Sequence, residues 1–98
     1  MKYDETAPNW LSDIVEAARN KHPFFEFRTV NEIAAAIENA PQGQSIKGRS
    51  DVKDAIRDGL HAADERLRDI ELYPATKTTS PSHQAASVIA KRLDITSP

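Results

Sequence analysis

Residues 50–73 have the sequence SDVKDAIRDGLHAADERLRDIELY, the longest periodic segment of the chain that no proline interrupts. Its apolar residues are separated by three or four positions, the spacing of one helix face. They are Val52, Ile56, Leu60, Ala63, Leu67 and Ile70. Ser50 is a suitable N-cap, and Pro74 disfavours helical angles in the residue before it. The segment therefore predicts a long helix over residues 50–71, against which the other helices can pack.

Two features of this segment bear on how far the helix extends. Gly59 lies in its middle, where glycine costs about 1 kcal/mol relative to alanine, so we expect a neighbouring element to approach closely there. Residues 68–73 alternate apolar with polar side chains, which is the pattern of a strand. An alternative interpretation therefore ends the helix near residue 63 and adds a short strand. We predict the continuous helix, because residues 62–68 contain no helix breaker.

Three more helices are predicted by shorter apolar stripes. They lie near residues 9–20, 29–39 and 81–93. The second is expected to begin at a capping box, TVNE at residues 29–32, in which the hydroxyl and the carboxylate each bind a free amide. The last has Ser80 as its N-cap and Pro81 at its first helical position.

The fold class that these segments predict is mainly α, a small single domain of about four helices over residues 1–98. The aromatic segment 24–28, FFEFR, is predicted to be extended, and with residues 68–73 it leaves room for one short β-hairpin or isolated strand pair. Residues 1–8 are expected to form a flexible arm. Residues 74–80, PATKTTS, have the polar composition of a linker to the last helix.

The composition of the chain excludes several classes of protein. It has 98 residues, of which 39% are hydrophobic and 29% charged, a globular profile. A net charge of −2 is unlike that of strongly basic nucleic-acid-binding domains. The absence of cysteine excludes disulfides, thiolate zinc sites and cysteine nucleophiles. No apolar segment approaches the roughly 20 residues of a membrane span, and the first residues are polar, so we expect a cytoplasmic protein.

One group of side chains has the spacing of metal ligands. Asp54, Asp58, His61 and Glu65 share a helix stripe at steps of four, three and four. No other segment repeats this pattern, as a dimetal bundle would require, so we interpret the stripe as a solvated face with ion pairs. The chain also lacks a glycine-rich phosphate loop and a nucleophile elbow. We therefore expect no catalytic activity, no cofactor and no metal.

DNA binding is the alternative function that the order of elements suggests. Helix, strand, helix, loop and helix is the order of a winged helix, in which the helix after Ser50 would read DNA. Its candidate contacts with phosphates and bases are Lys47, Arg49, Lys53 and Arg57. Two features disfavour it. The loop between the helices has about ten residues instead of the usual three or four, and three aspartates among the basic residues would repel phosphate.

The function that we favour from the sequence is binding of a protein partner by a small regulatory or adaptor protein, which we expect to be a homodimer. The candidate contacts are Phe24, Phe25 and Phe27, half of the aromatic residues of the chain. Core packing is the commoner role of such side chains. Adjacent residues of an extended segment face opposite sides, so we expect one of Phe24 and Phe25 to be exposed.

Overall fold

The computed structural model describes residues 7–72 and 80–95, and within them the fold is mainly helical, as predicted. Four α-helices follow one another, and a 3-10 helix over Pro41–Ile46 connects the second to the third. They are α1 (Asn9–Lys21), α2 (Glu26–Asn39), α3 (Val52–Leu72) and α4 (Pro81–Leu93). Helix α3 is continuous through residue 72, so the interpretation that ended it near residue 63 is wrong.

The described residues contain no β-strand, and both predicted strands are wrong within them. In segment 24–28, Phe25 has extended angles (φ −129°, ψ 90°), but α2 begins directly after it at Glu26. Residues 68–72 belong to α3, while Tyr73 lies outside the described residues. Alternation over as few positions as residues 68–73 is satisfied by a helix as well as by a strand, and α3 continues through residues 68–72. In the aromatic segment, residues 26–28 form the first turn of α2.

Helix α2 begins three residues earlier than the capping box predicted, because Thr29 is an interior residue of the helix. Its amide donates to the carbonyl of Phe25 at 3.0 Å, a helical hydrogen bond. Helix α3 begins at Val52, with Ser50 in the preceding turn. The start of α4 is as predicted: the Ser80 hydroxyl accepts a hydrogen bond from the amide of His83 at 3.2 Å.

Helix α4 packs against both α3 and α1, and α2 also packs against α1 and α3. The predicted close approach at Gly59 is confirmed. A Cβ atom there would lie 2.7 Å from the carbonyl oxygen of Ala85 and 2.8 Å from Cγ1 of Ile89. Small residues at this contact let the backbones of α3 and α4 come together. Ile46, in the connecting 3-10 helix, is buried in the same core.

Near the C-terminal end of α3, the buried residues are no longer those of the predicted apolar stripe. Ala55, Gly59 and Ala63 are buried, and the next buried residue is Arg66, only 1% exposed. Leu67, expected in the core, is 40% exposed, and Leu72 is 63% exposed. A 21-residue helix is about 31 Å long, and its last turns carry apolar side chains that the core does not cover.

The end of the predicted arm lies against the first helix. Ala7 and Pro8 are buried, and the carbonyl of Pro8 accepts from the amides of Leu11 and Ser12 at 3.2 and 3.1 Å. The last two residues of the predicted arm therefore pack against the first helix. Residues 1–6 of the arm and 74–79 of the linker lie outside the described residues.

Candidate protein-binding surface

All three phenylalanines of the chain are exposed where α1 turns into α2. Phe24 is 88% exposed, Phe25 56% and Phe27 70%. We call these three residues the Phe corner. Both Phe24 and Phe25 are exposed, where one was expected to be, and core packing accounts for none of the three. Helix α2 begins at Glu26 and directs its buried face elsewhere, through Val30, Ile33 and Ile37. Three large apolar side chains within four residues are thus left in contact with water.

Hydrogen bonds from α2 hold the backbone of this turn. The Thr29 hydroxyl lies 2.9 Å from the carbonyl oxygen of His22 and 3.0 Å from that of Phe25, so its single proton can be donated to either. The amide of Phe25 donates to the carbonyl of His22 at 3.4 Å. The Phe corner is therefore attached to the ends of two helices at several points.

A carboxylate on α2 connects the same turn to the end of α1. Glu32 Oε1 lies 3.3 Å from Lys21 Nζ and 3.4 Å from His22 Nε2. The hydrogen bond from Lys21, and to a smaller extent the one with His22, lowers the pKa of the Glu32 carboxyl below its ordinary value of 4.5. This is the second residue of the predicted capping box that contacts the α1–α2 turn instead of a helix-terminal amide.

An open cleft of about 510 Å³ lies beside the Phe corner, between the end of α1, the α1–α2 turn and α3. Its charged and aromatic lining includes Glu16, Arg19, Phe24, Glu26, His61 and Asp64. His61 Nε2 lies 3.2 Å from Glu26 Oε1, which joins α3 to the first turn of α2. Arg19 Nη1 donates to the hydroxyl of Ser82 at 3.0 Å, which joins α1 to α4.

Of the four residues predicted to contact DNA, two are in ion pairs and two line a common depression. Arg49 contacts Asp51, with Nη2–Oδ2 at 2.5 Å, and also donates to the carbonyl of Leu93. Arg57 lies 3.1 Å from the carboxylate of Asp54. Lys47 and Lys53, both exposed, line a shallow depression of about 350 Å³ next to α2.

The contact between Arg49 and Asp51 is also an electrostatic one. The hydrogen bond from Arg49 lowers the pKa of the Asp51 carboxyl below its ordinary value of 3.8, and the same contact raises the pKa of Arg49. Through its contacts with Asp51 and with the carbonyl of Leu93, Arg49 joins the start of α3 to the end of α4.

Three residues of the stripe with metal-ligand spacing each contact a different side chain. Asp54 contacts Arg57, Asp58 contacts Arg92 of α4, and His61 contacts Glu26 of α2. Across residues 7–72 and 80–95, no group of three or more histidine, aspartate or glutamate side chains could hold a metal ion.

Sequence reasoning missed two features of the molecule. Arg66 is buried because it follows Ala55, Gly59 and Ala63 on a stripe of small residues, and that stripe could have been read from the sequence. The cleft is the second feature. Its acids come from three different helices, and no local pattern relates Glu16 to Asp64.

Comparison of the chain with protein-family models, with curated proteins and with solved structures found no significant similarity. No family therefore supplies a function for the Phe corner or for the cleft beside it. None of the helices within the described ranges is long and apolar enough to cross a membrane.

Proposed function

We propose that this chain is a small, non-catalytic regulatory or adaptor protein that binds a protein partner through the Phe corner and forms a homodimer. The exposure of Phe24, Phe25 and Phe27 is the observation that carries the proposal. Contiguous exposed apolar side chains mark interaction surfaces, and aromatic residues are enriched in the cores of protein interfaces. Burial of one such side chain is worth about 1.5–3 kcal/mol, so three of them would supply the centre of an interface.

The backbone of the corner supports the same proposal. Thr29 and Glu32 hold the turn from α2 through hydrogen bonds to His22, Phe25 and Lys21. A surface whose backbone is already fixed loses less conformational entropy when a partner binds. Loops that carry exposed phenylalanines without such contacts would lose part of the binding energy in becoming ordered.

Self-association finds separate support at the outer end of α3. Leu67 and Leu72 are the only large hydrophobic residues exposed in the described ranges besides the phenylalanines. They lie in the last two turns of the longest helix, beyond the buried Arg66. Two copies that pair these turns would bury side chains that one copy leaves in water.

Two other predictions from the sequence stay predictions. DNA binding gains no observation in its favour: two of its four candidate residues are in ion pairs, and residues 68–72, the candidate strand for the wing of a winged helix, are helical. A cytoplasmic location likewise rests on the sequence alone.

A capture experiment with two matched variants tests the proposal. The wild type, Phe24→Ser with Phe27→Ser, and Lys47→Ser with Lys53→Ser are each immobilised and exposed to nuclease-treated host lysate. We expect one discrete protein to bind the wild type and the lysine variant, and to be absent from the phenylalanine variant. Circular dichroism checks that all three are folded. Retention of the same protein by the phenylalanine variant would contradict a role for the corner.

The oligomeric state is tested separately. Light scattering after size exclusion should give the mass of a dimer for the wild type and for Phe24→Ser with Phe27→Ser. Leu67→Ser with Leu72→Ser should give a monomer. A wild-type monomer at all accessible concentrations would remove the homodimer from the proposal and leave the Phe corner untouched.

A further inference from the structure

We propose that the protein partner presents a basic segment to this surface, with a lysine or arginine side chain in the cleft and an adjacent apolar side chain on the Phe corner. This inference rests on the proposed function, since it names the chemistry of the partner that the corner binds. The charges that line the cleft and the aromatic ring beside it are the observations that carry it.

Acidic side chains outnumber basic ones in the cleft. Glu16 comes from α1, Glu26 from α2 and Asp64 from α3, so carboxylates line the cleft on three sides. Arg19 is the single lysine or arginine in the lining, and its guanidinium donates to Ser82. Carboxylates therefore outnumber lysine and arginine side chains in the lining by three to one. A cation would be attracted, and an acidic segment repelled.

The aromatic side of the cleft suits a cation as well. Phe24 lines the cleft and is the most exposed residue of the Phe corner. A cation over the face of an aromatic ring is attracted by the ring quadrupole. The corner already contains one such contact, because the Arg28 guanidinium lies 5.1 Å from the centre of the Phe25 ring. A second guanidinium or ammonium group on Phe24 would repeat it from the partner.

The size of the cleft agrees with a side chain as its occupant. Its volume of about 510 Å³ falls within the roughly 300–1,000 Å³ of typical ligand pockets. Pro23 and Leu60 line it together with the charged residues. The aliphatic stem of a lysine or arginine can lie along such apolar atoms while its charged group reaches a carboxylate.

A second copy of this chain is a poorer occupant of the cleft. A two-fold contact places the same surface patch on both subunits. Centred on the cleft, it would bring Glu16, Glu26 and Asp64 against their own counterparts and add like charges at the interface. Self-association is therefore assigned to the exposed Leu67 and Leu72 at the C-terminal end of α3, outside the cleft.

Three synthetic peptides that differ only in charge test the inference. Their sequences are GSGLKLKLGSG, GSGLQLQLGSG and GSGLELELGSG, each labelled for fluorescence anisotropy. We expect the lysine peptide to bind about tenfold more tightly than the glutamate peptide, because two charge contacts change sign. Amide chemical shifts should change at Thr29, Leu60 and Asp64 during titration with the lysine peptide. The difference between the peptides should shrink as salt is added.

Two variants of equal charge locate the effect. Glu16→Gln with Asp64→Asn removes two carboxylates from the cleft lining. Asp13→Asn with Glu71→Gln removes two exposed carboxylates from the same helices, outside that lining. We expect the first pair to weaken binding of the lysine peptide roughly fivefold, and the second by less than about twofold.

Each other outcome overturns the inference in a distinguishable way. Equal affinity for the glutamate or glutamine peptide would show that charge does not select the partner. Equal weakening in both variants would show that net charge acts at a distance, without the cleft. A dimer that excludes the peptide from the cleft would show that a second copy is the occupant. The first two outcomes leave the proposed function standing, and the third moves self-association from the end of α3 to the cleft. Partner binding through the Phe corner fails separately, if Phe24→Ser with Phe27→Ser retains the captured protein.

Discussion

Gly59 of α3 lies against the carbonyl oxygen of Ala85 in α4, at a place where a Cβ atom would come within 2.7 Å of that oxygen. We predict that Gly59→Ala destabilises the protein, because separating the helices to admit the methyl group costs about 2–3 kcal/mol. This loss outweighs the gain of about 1 kcal/mol that alanine brings to a helix interior. Urea unfolding measures the difference.

Lys53→Ala is the matched control for Gly59→Ala, since it introduces alanine at an exposed position of the same helix. Its effect should lie within about 0.5 kcal/mol of zero. A Gly59→Ala protein more stable than the wild type would contradict the close contact between α3 and α4.

Thr29→Val should destabilise the fold by about 1 kcal/mol, because it removes the hydroxyl whose proton is donated to the carbonyl of His22 or of Phe25. Valine keeps the branched shape, so packing changes little. Thr29→Ser keeps the donor and serves as the control. Amide hydrogen exchange of residues 22–25 should also accelerate in the valine variant and not in the serine variant. Unchanged exchange would show that the hydroxyl does not hold the turn beneath the Phe corner.

Ser80→Ala should cost about 1 kcal/mol, because the amide of His83 loses its acceptor at the start of α4. Ser80→Asp should retain most of the stability, since aspartate is an equally good N-cap. For a domain of this size, 1 kcal/mol corresponds to a fall in Tm of roughly 4–8 °C. Thermal unfolding measures this shift, and equal Tm values for the alanine and aspartate variants would contradict the cap.

The contact of Glu32 with Lys21 and His22 predicts a pH-dependent contribution to stability. The folded pKa of the Glu32 carboxyl is lower than its ordinary value of 4.5, so the contribution is present above pH 4.5. It is lost as the pH falls from there through the folded pKa, where the carboxyl becomes protonated. The wild type should therefore exceed Glu32→Gln in stability above pH 4.5, and the two should converge in more acidic solution.

Urea unfolding at a series of pH values gives the comparison for Glu32. Glu38→Gln, which removes another carboxylate further along α2, controls for the loss of one negative charge. A stability difference between wild type and Glu32→Gln that persists unchanged in acid would show that the carboxylate is not its source.

The features predicted from the sequence are those that neighbouring residues decide among themselves. Apolar residues at helical spacing were sufficient to place both ends of α1, α3 and α4 within about two residues. Ser80 and Pro81 start α4 through contacts within one turn. Gly59 could be read as a close approach because glycine inside a helix is unfavourable unless something replaces the missing side chain.

Predictions failed where distant residues determine the outcome. Thr29 has the pattern of a capping box, but α2 begins earlier and its hydroxyl contacts the turn that follows α1. Leu67 has the helical spacing of a core residue, yet the other helices do not cover its side of α3. Arg66 is buried instead of Leu67. It follows the small residues Gly59 and Ala63 on the side of α3 that packs against α4.

The sequence by itself therefore determined that this protein is helical and where most of its helices lie, because propensity, periodicity and caps act over a few residues. Only the tertiary structure decided which side chains meet water. The exposure of Phe24, Phe25 and Phe27 depends on where α2 docks. The cleft depends on Glu16, Glu26 and Asp64 being brought together from three helices, and no pattern along the chain encodes distances between residues so far apart in sequence.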